Sequence, residues 1–141
     1  MLLRFLAYGA LGWCFEVFFT GLSSALRRDR CATAKTYLWM HPIYGAAGLL
    51  LEQASDLLVA APWFVRGVGY LLVIYLVEAV SGWVLRKALG ACPWDYGRTR
   101  WSVAGLVRLD YAPAWYVAGL LFEPARQAVQ ALSRAPVRAF Q

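Results

Sequence analysis

The chain has 141 residues, of which 61% are hydrophobic and only 16% charged, with a net charge of +6. An ordinary soluble domain is roughly 45–50% apolar and about 25% charged, so a water-soluble globular protein is excluded as the first reading. The basic residues fall between apolar stretches rather than in one tract, which favours anionic lipid head groups over nucleic acid as their partner.

The first apolar segment runs from Leu2 to Leu26 and is interrupted by Glu16. The cluster Arg27, Arg28, Asp29, Arg30 ends it. A spanning helix needs about 20 residues, so this segment qualifies, and it is too long for the core of a cleavable signal peptide. The second segment, Tyr37 to Leu58, is weaker. His41 and Pro42 stand near its start, Gly45 and Gly48 in its middle, Glu52 and Asp56 near its end. Proline is tolerated in a first helical turn, where its missing N–H has no partner to lose.

The third segment, Pro62 to Leu89, contains the most apolar stretch, followed by Glu78, Gly82-Trp83 and Arg86-Lys87, with Gly90 as its expected stop. Cys92-Pro93-Trp94-Asp95-Tyr96-Gly97 then reads as a polar-aromatic turn. Trp94, Asp95 and Tyr96 form an interfacial motif, with the rings at the head-group level and the carboxylate capping the next segment or pairing with Arg98 or Arg100. An acidic group among these basic ones could also hold an amine or a lipid head group. Trp101 to Leu109 is short and amphipathic, suited to lying on the membrane or re-entering it. The fourth segment runs from Tyr111 to Leu132, with Pro113 in its first turn and Pro124 near its far end.

The expected fold is all-α: an integral membrane bundle of four transmembrane helices over residues 1–132, with the amphipathic or re-entrant segment before the last helix and a short basic tail at 133–141. Nine of the fourteen Lys and Arg residues fall in the first and third connections, which favours those in the cytoplasm and both termini outside. Three cysteines, Cys14, Cys31 and Cys92, make neither a CxxC pair nor a metal-ligand spacing.

Each segment carries one glutamate with a glycine four residues away: Glu16 with Gly12, Glu52 with Gly48, Glu78 with Gly82, Glu123 with Gly119. Residues four apart share a helix face, and a small residue lets a neighbour approach, so Gly12, Gly45, Gly48, Gly82 and Gly119 are expected at packed faces. Glu52 and Glu123 lie near helix ends and read as rim residues reaching the head groups. Glu16 and Glu78 lie past the middle of their helices, where an acidic residue costs about 2.5–3.5 kcal/mol on insertion scales. They escape by taking a proton or by finding a cation or hydrogen-bond donor. His41, Arg86, Tyr8, Tyr44 and Tyr75 are the candidate partners. Glu16, Glu78, His41 and Tyr44 therefore form the candidate proton or solute site. His41 with the two glutamates could ligate a metal, but the spacing is no motif and none is assigned. Neither GxxxxGK[ST] nor GxGxxG is present, so no nucleotide cofactor is expected, and no nucleophile has a base beside it.

Gly12-Trp13-x-x-Glu16, Pro42-Ile43-Tyr44-Gly45, Glu78-x-x-x-Gly82-Trp83 and Trp94-Asp95-Tyr96, followed by Gly105 and a last apolar helix, resemble the bacterial family called Putative ABC-transporter type IV. Cys92 through Tyr96 and Gly105 through Ala112 are also similar to the animal transmembrane protein 229 group. The resemblance covers about residues 5 to 125 and implies a four-helix protein of a bacterial-type inner membrane. Tyr37-Leu38-Trp39-Met40-His41 stands where bacterial members are expected to carry a longer stretch with asparagine, glycine and cysteine. Three functions fit these observations: a permease-like transport component, a structural or regulatory subunit, and a lipid-acting enzyme with Glu16, Glu78, His41 and Asp95 converging at the head groups. Four helices are few for a pathway, so a homo-oligomer or a partner membrane subunit is expected.

Overall fold

A computed structural model describes residues 1–97 and 99–134. Its described elements are helix α1 (Leu2–Leu26), helix α2 (Met40–Leu57), helix α3 (Trp63–Leu89), strands β1 (Ser102–Val103) and β2 (Val107–Arg108), a 3-10 turn (Leu109–Tyr111), and helix α4 (Ala112–Arg134). The fold is all-helical apart from the small antiparallel hairpin, which pairs Ser102 with Arg108 and Val103 with Val107. The segment expected to be amphipathic or re-entrant takes this hairpin form because Ala104 and Gly105 both adopt left-handed backbone, at φ 54° and 73°, and reverse the chain tightly. From residue 135 on, the expected basic tail lies outside the described residues.

Local chemistry sets the helix ends. Past Leu26, Asp29 gathers the connection. It accepts from Ser24 Oγ at 2.7 Å, from the Cys31 amide at 2.9 Å and from the Thr33 amide at 3.0 Å. Gly90 ends α3 in left-handed backbone, φ 69°, with Arg86 and Lys87 in the last turn, where cations favour the helix dipole. Pro124 does not end α4, which continues through Arg134.

α1 and α3 are long and apolar enough to cross a membrane, with mean hydropathy 1.4 and 1.9 over their most apolar windows. The core helix of a soluble protein would bury such surface; here Phe18 is 70% exposed and Leu72 62%.

The described chain forms two compact units, residues 1–49 with the stretch from Val129, and residues 50–128. In the first, α1 and the start of α2 interlock through four aromatic-on-glycine seats. Phe5 sits on Gly45, Tyr8 on Gly48, His41 on Gly9 and Tyr44 on Gly12. Phe5 and Gly9 are one turn apart, as are Gly45 and His41 in the opposite order, so these helices run antiparallel. A Cβ on Gly9 would come within 2.6 Å of the His41 ring and one on Gly45 within 2.8 Å of Phe5, so only glycine admits them.

The second unit uses the same device. Tyr116 sits on Gly67 and Tyr70 on Gly119. Tyr70 is fully buried, edge-on to Phe122 at 6.3 Å between ring centres. Arg126 of α4 donates to Ser55 Oγ at 2.7 Å and pairs with Asp56 at 2.5 Å.

The helix bounds expose a repeat in the sequence. At one fixed offset, Arg4, Tyr8 and Glu16 of α1 become Arg66, Tyr70 and Glu78 of α3. At a second, larger offset, Pro42, Tyr44, Ala47, Gly48, Leu49, Leu50 and Glu52 of α2 become Pro113, Trp115, Ala118, Gly119, Leu120, Leu121 and Glu123 of α4. The offsets differ because the hairpin lengthens the second connection. The chain is thus a helix pair written twice.

Candidate functional site

Glu16 projects from α1 on the face it shares with Trp13 and Thr20, positions three and four residues apart. The connection to α2 lies along that face. Trp13 Nε1 donates to the Tyr37 carbonyl at 3.0 Å, and the Lys35 amide donates to Thr20 Oγ1 at 3.1 Å. Between them, Thr36 donates its hydroxyl to Glu16 Oε2 at 2.5 Å. Tyr44, seated on Gly12 one turn before Glu16, faces the same carboxyl. Gly12 therefore admits the ring that faces Glu16. His41 sits on Gly9, edge-on to Trp13 at 4.8 Å and to Phe5 at 6.3 Å, in an aromatic setting. Trp13, His41, Leu38, Trp39 and Pro42 line an apolar cavity of about 310 Å³ beside it.

In the second unit Glu78 is placed by α3, and the connection to α4 again supplies its donor: Tyr96 approaches Glu78 Oε1 at 3.4 Å. Glu78 Oε2 is buried with no hydrogen-bond partner among the described residues. The buried Trp115 Nε1 faces this carboxyl without reaching hydrogen-bond geometry. Gly82, one turn on, receives the hairpin: a Cβ there would lie 2.9 Å from Leu106 and 3.3 Å from Trp94, whose Nε1 donates to the Leu106 carbonyl at 3.1 Å. Gly82 thus packs against the hairpin and its approach.

The remaining expected partners have other work. Arg86 donates to the Ala104 carbonyl at 2.9 Å, and Tyr75 to the Arg108 carbonyl at 3.1 Å. Asp95 accepts from the Gly97 amide at 2.9 Å, a side-chain turn closing the Trp94-Asp95-Tyr96 motif. Its expected pairing with Arg98 falls on a residue outside those described. Arg108 pairs with Asp110 and lies over the Tyr111 ring at 4.1 Å and the Tyr96 ring at 5.8 Å. Burial first, then the charge of Glu78, raises the Tyr96 phenol above its ordinary range, so it stays a donor. The Arg108 guanidinium holds the Asp110 carboxyl below the usual carboxylate range.

Glu52 and Glu123 are not rim residues reaching for head groups. Glu52 is only 6% exposed. Glu123 pairs with Arg66 at 2.5 Å and accepts from Tyr70 at 2.9 Å, which holds its carboxylate against α3.

The two mid-helix glutamates therefore occupy repeated settings. Each takes a hydroxyl from the connection that follows it, Thr36 or Tyr96, and faces an aromatic at the repeated position of the next helix, Tyr44 or Trp115. In the sequence, Thr36 and Trp115 draw no notice when each helix is taken singly, and Tyr96 reads as part of the interfacial motif rather than as the donor to Glu78. The Tyr44–Trp115 correspondence under the repeat is the signal that finds Trp115.

Long exposed apolar helices carrying glutamates at helix-packing seats define a helical membrane protein. The model of the family described as Putative ABC-transporter type IV matches residues 3–137, and the chain belongs to that family. No solved structure matches it.

Proposed function

We propose that the protein is a permease-like transport component with four membrane-spanning helices, in which Glu16 and Glu78 each bind a proton or a cationic solute. The reading rests on one observation above the others: Glu78 Oε2 is buried on an apolar spanning helix with no hydrogen-bond partner among the described residues. A carboxyl oxygen in that setting is costly unless a proton or cation joins it. The repeat adds support, because many transporters are built from internal repeats with discrete polar sites at membrane depth. The family name is consistent with transport, and a homo-oligomer or a partner membrane subunit would complete the pathway. The basic first and third connections would face the cytoplasm and its anionic lipids, with both termini outside.

The test is proton uptake into proteoliposomes carrying an entrapped pH dye. Glu78→Gln should reduce uptake by about tenfold or more, the worth of roughly 1.4 kcal/mol per decade, and Glu16→Gln should do so independently. Uptake matching the wild type in both variants would remove the reading. It would leave the second, in which the exposed apolar faces of α1 and α3 dock a partner subunit; stoichiometric co-purification of a membrane protein is its signature.

A further inference from the structure

At the C-terminal end of α3 an open cavity of about 610 Å³ is lined by Arg86, Cys92, Asp95, Ser102 and backbone of the hairpin and its approach. Glu78 is not among its lining residues, and the transport reading does not use those that are. Two opposite charges face each other across it. The point where a Cβ on Gly105 would stand is 3.1 Å from Asp95 Oδ1 and 3.2 Å from Arg86 Nη2. Gly105 has none, and at φ 73° its backbone favours none, so the gap stays open.

The two charges do not close into an ion pair. Arg86 is held to the Ala104 carbonyl through Nη1, and Asp95 is held to the Gly97 amide through Oδ1. That leaves Arg86 Nη2 and Asp95 Oδ2 available, among the described residues.

We propose that this cavity binds the phosphoethanolamine head group of a membrane lipid, with phosphate at Arg86 and ammonium at Asp95. Four observations select that ligand. Among the described residues the site holds one cation and one anion, so it matches a zwitterion rather than a purely anionic head group. The guanidinium is a donor suited to phosphate oxygens. Asp95 accepts hydrogen bonds, which a primary ammonium offers and a trimethylated one does not. Among the described residues no aromatic ring lines the cavity, whereas a choline group is recognised by aromatic faces. The position supplies the lipid: α3 is long and apolar enough to span a bilayer, and on the membrane-spanning reading proposed above its end falls at head-group level.

The test uses the full chain purified in detergent and offered equal amounts of phosphatidylethanolamine, phosphatidylcholine and phosphatidylglycerol, with retained lipid read by native mass spectrometry. Phosphatidylethanolamine should be retained about tenfold over the other two, the worth of one charge-assisted contact. Asp95→Asn keeps an oxygen acceptor for the Gly97 amide and removes only the charge. It should abolish the preference over phosphatidylcholine while leaving the melting temperature unchanged. Equal retention of ethanolamine and choline lipids by the wild type, or an undiminished preference in Asp95→Asn, would overturn the proposal. Soluble phosphoethanolamine should compete only in large excess. Displacement by it at the lipid's own concentration would assign the cavity to a free solute instead and overturn the lipid assignment. Proton uptake is unaffected by Asp95→Asn, which separates failure here from failure of the transport reading.

Discussion

Arg66 and Glu123 meet at 2.5 Å, and Tyr70 donates to the same carboxylate oxygen at 2.9 Å. Both partners are mostly shielded, at 24% and 28% side-chain exposure, so the contact is worth more than a surface ion pair. Arg66→Gln leaves Glu123 with one neutral donor. It should destabilise the fold by about 1.5–3 kcal/mol, the range for hydrogen bonds to charged groups. Tyr70→Phe, which keeps the ring on Gly119, should cost about 1 kcal/mol. Thermal unfolding in one detergent, both variants against wild type, measures the order.

Gly12 and Tyr44 provide the second prediction. Tyr44 meets the Gly12 backbone with its Cβ and ring root, not with a flexible tip, so it cannot swing clear of an added methyl. Gly12→Ala should therefore destabilise by about 1–3 kcal/mol, the usual cost of overpacking. It should also part the Tyr44 hydroxyl from Glu16. Gly12→Ala combined with Tyr44→Gly should cost less than the two changes added together, because the second removes both the ring and the Cβ that would crowd the added methyl. A double variant less stable than the sum of the singles would contradict the seat.

The helix ends are legible in the residues because single residues enforce them. Arg27 follows the last apolar residue of α1, and Gly90 alone can take the left-handed cap of α3. The glutamates are legible too, since acids within apolar runs are conspicuous. Their partners are not, because Thr36 and Tyr96 arrive from connections whose path no helical period describes. The hairpin is obscured for a similar reason. Trp101 to Leu109 alternates too briefly to tell a strand from an amphipathic turn, and the deciding residue, Ala104 at φ 54°, carries no turn signature of its own. Glu123 reads as a rim residue by depth alone; only the Arg-Tyr repeat in α3 indicates that it has fixed partners.

Asp29 yields a pH prediction. Hydrogen bonds from Ser24, Thr33 and Cys31 hold its carboxyl well below the usual carboxylate range. A depressed folded value means the contribution is complete above the unfolded value of about 3.9 and is lost as pH falls through the lower, folded value. The 27–36 connection should accordingly keep its amide protection at mildly acidic pH and release it only in strong acid. Asp29→Ala, which removes both acceptor oxygens, should expose the Cys31 and Thr33 amides to exchange already at neutral pH. Hydrogen exchange read peptide by peptide checks both.

Tyr96 carries the last prediction. Its phenol is desolvated and stands beside the Glu78 carboxyl, and both effects oppose ionisation; Arg108 over the ring works the other way but ranks below them. Tyr96 should therefore remain protonated while exposed tyrosines ionise near pH 10. In an alkaline absorbance titration, Tyr96→Phe should leave the amplitude of the ordinary tyrosine step unchanged and remove only a later one. If Tyr96→Phe instead reduces the ordinary step, the phenol is solvated and Glu78 lacks the donor assigned to it. A donor that stays protonated across the working range can serve Glu78 at every pH where transport is measured. Any pH dependence of uptake would then belong to the glutamates rather than to the hydroxyl beside them.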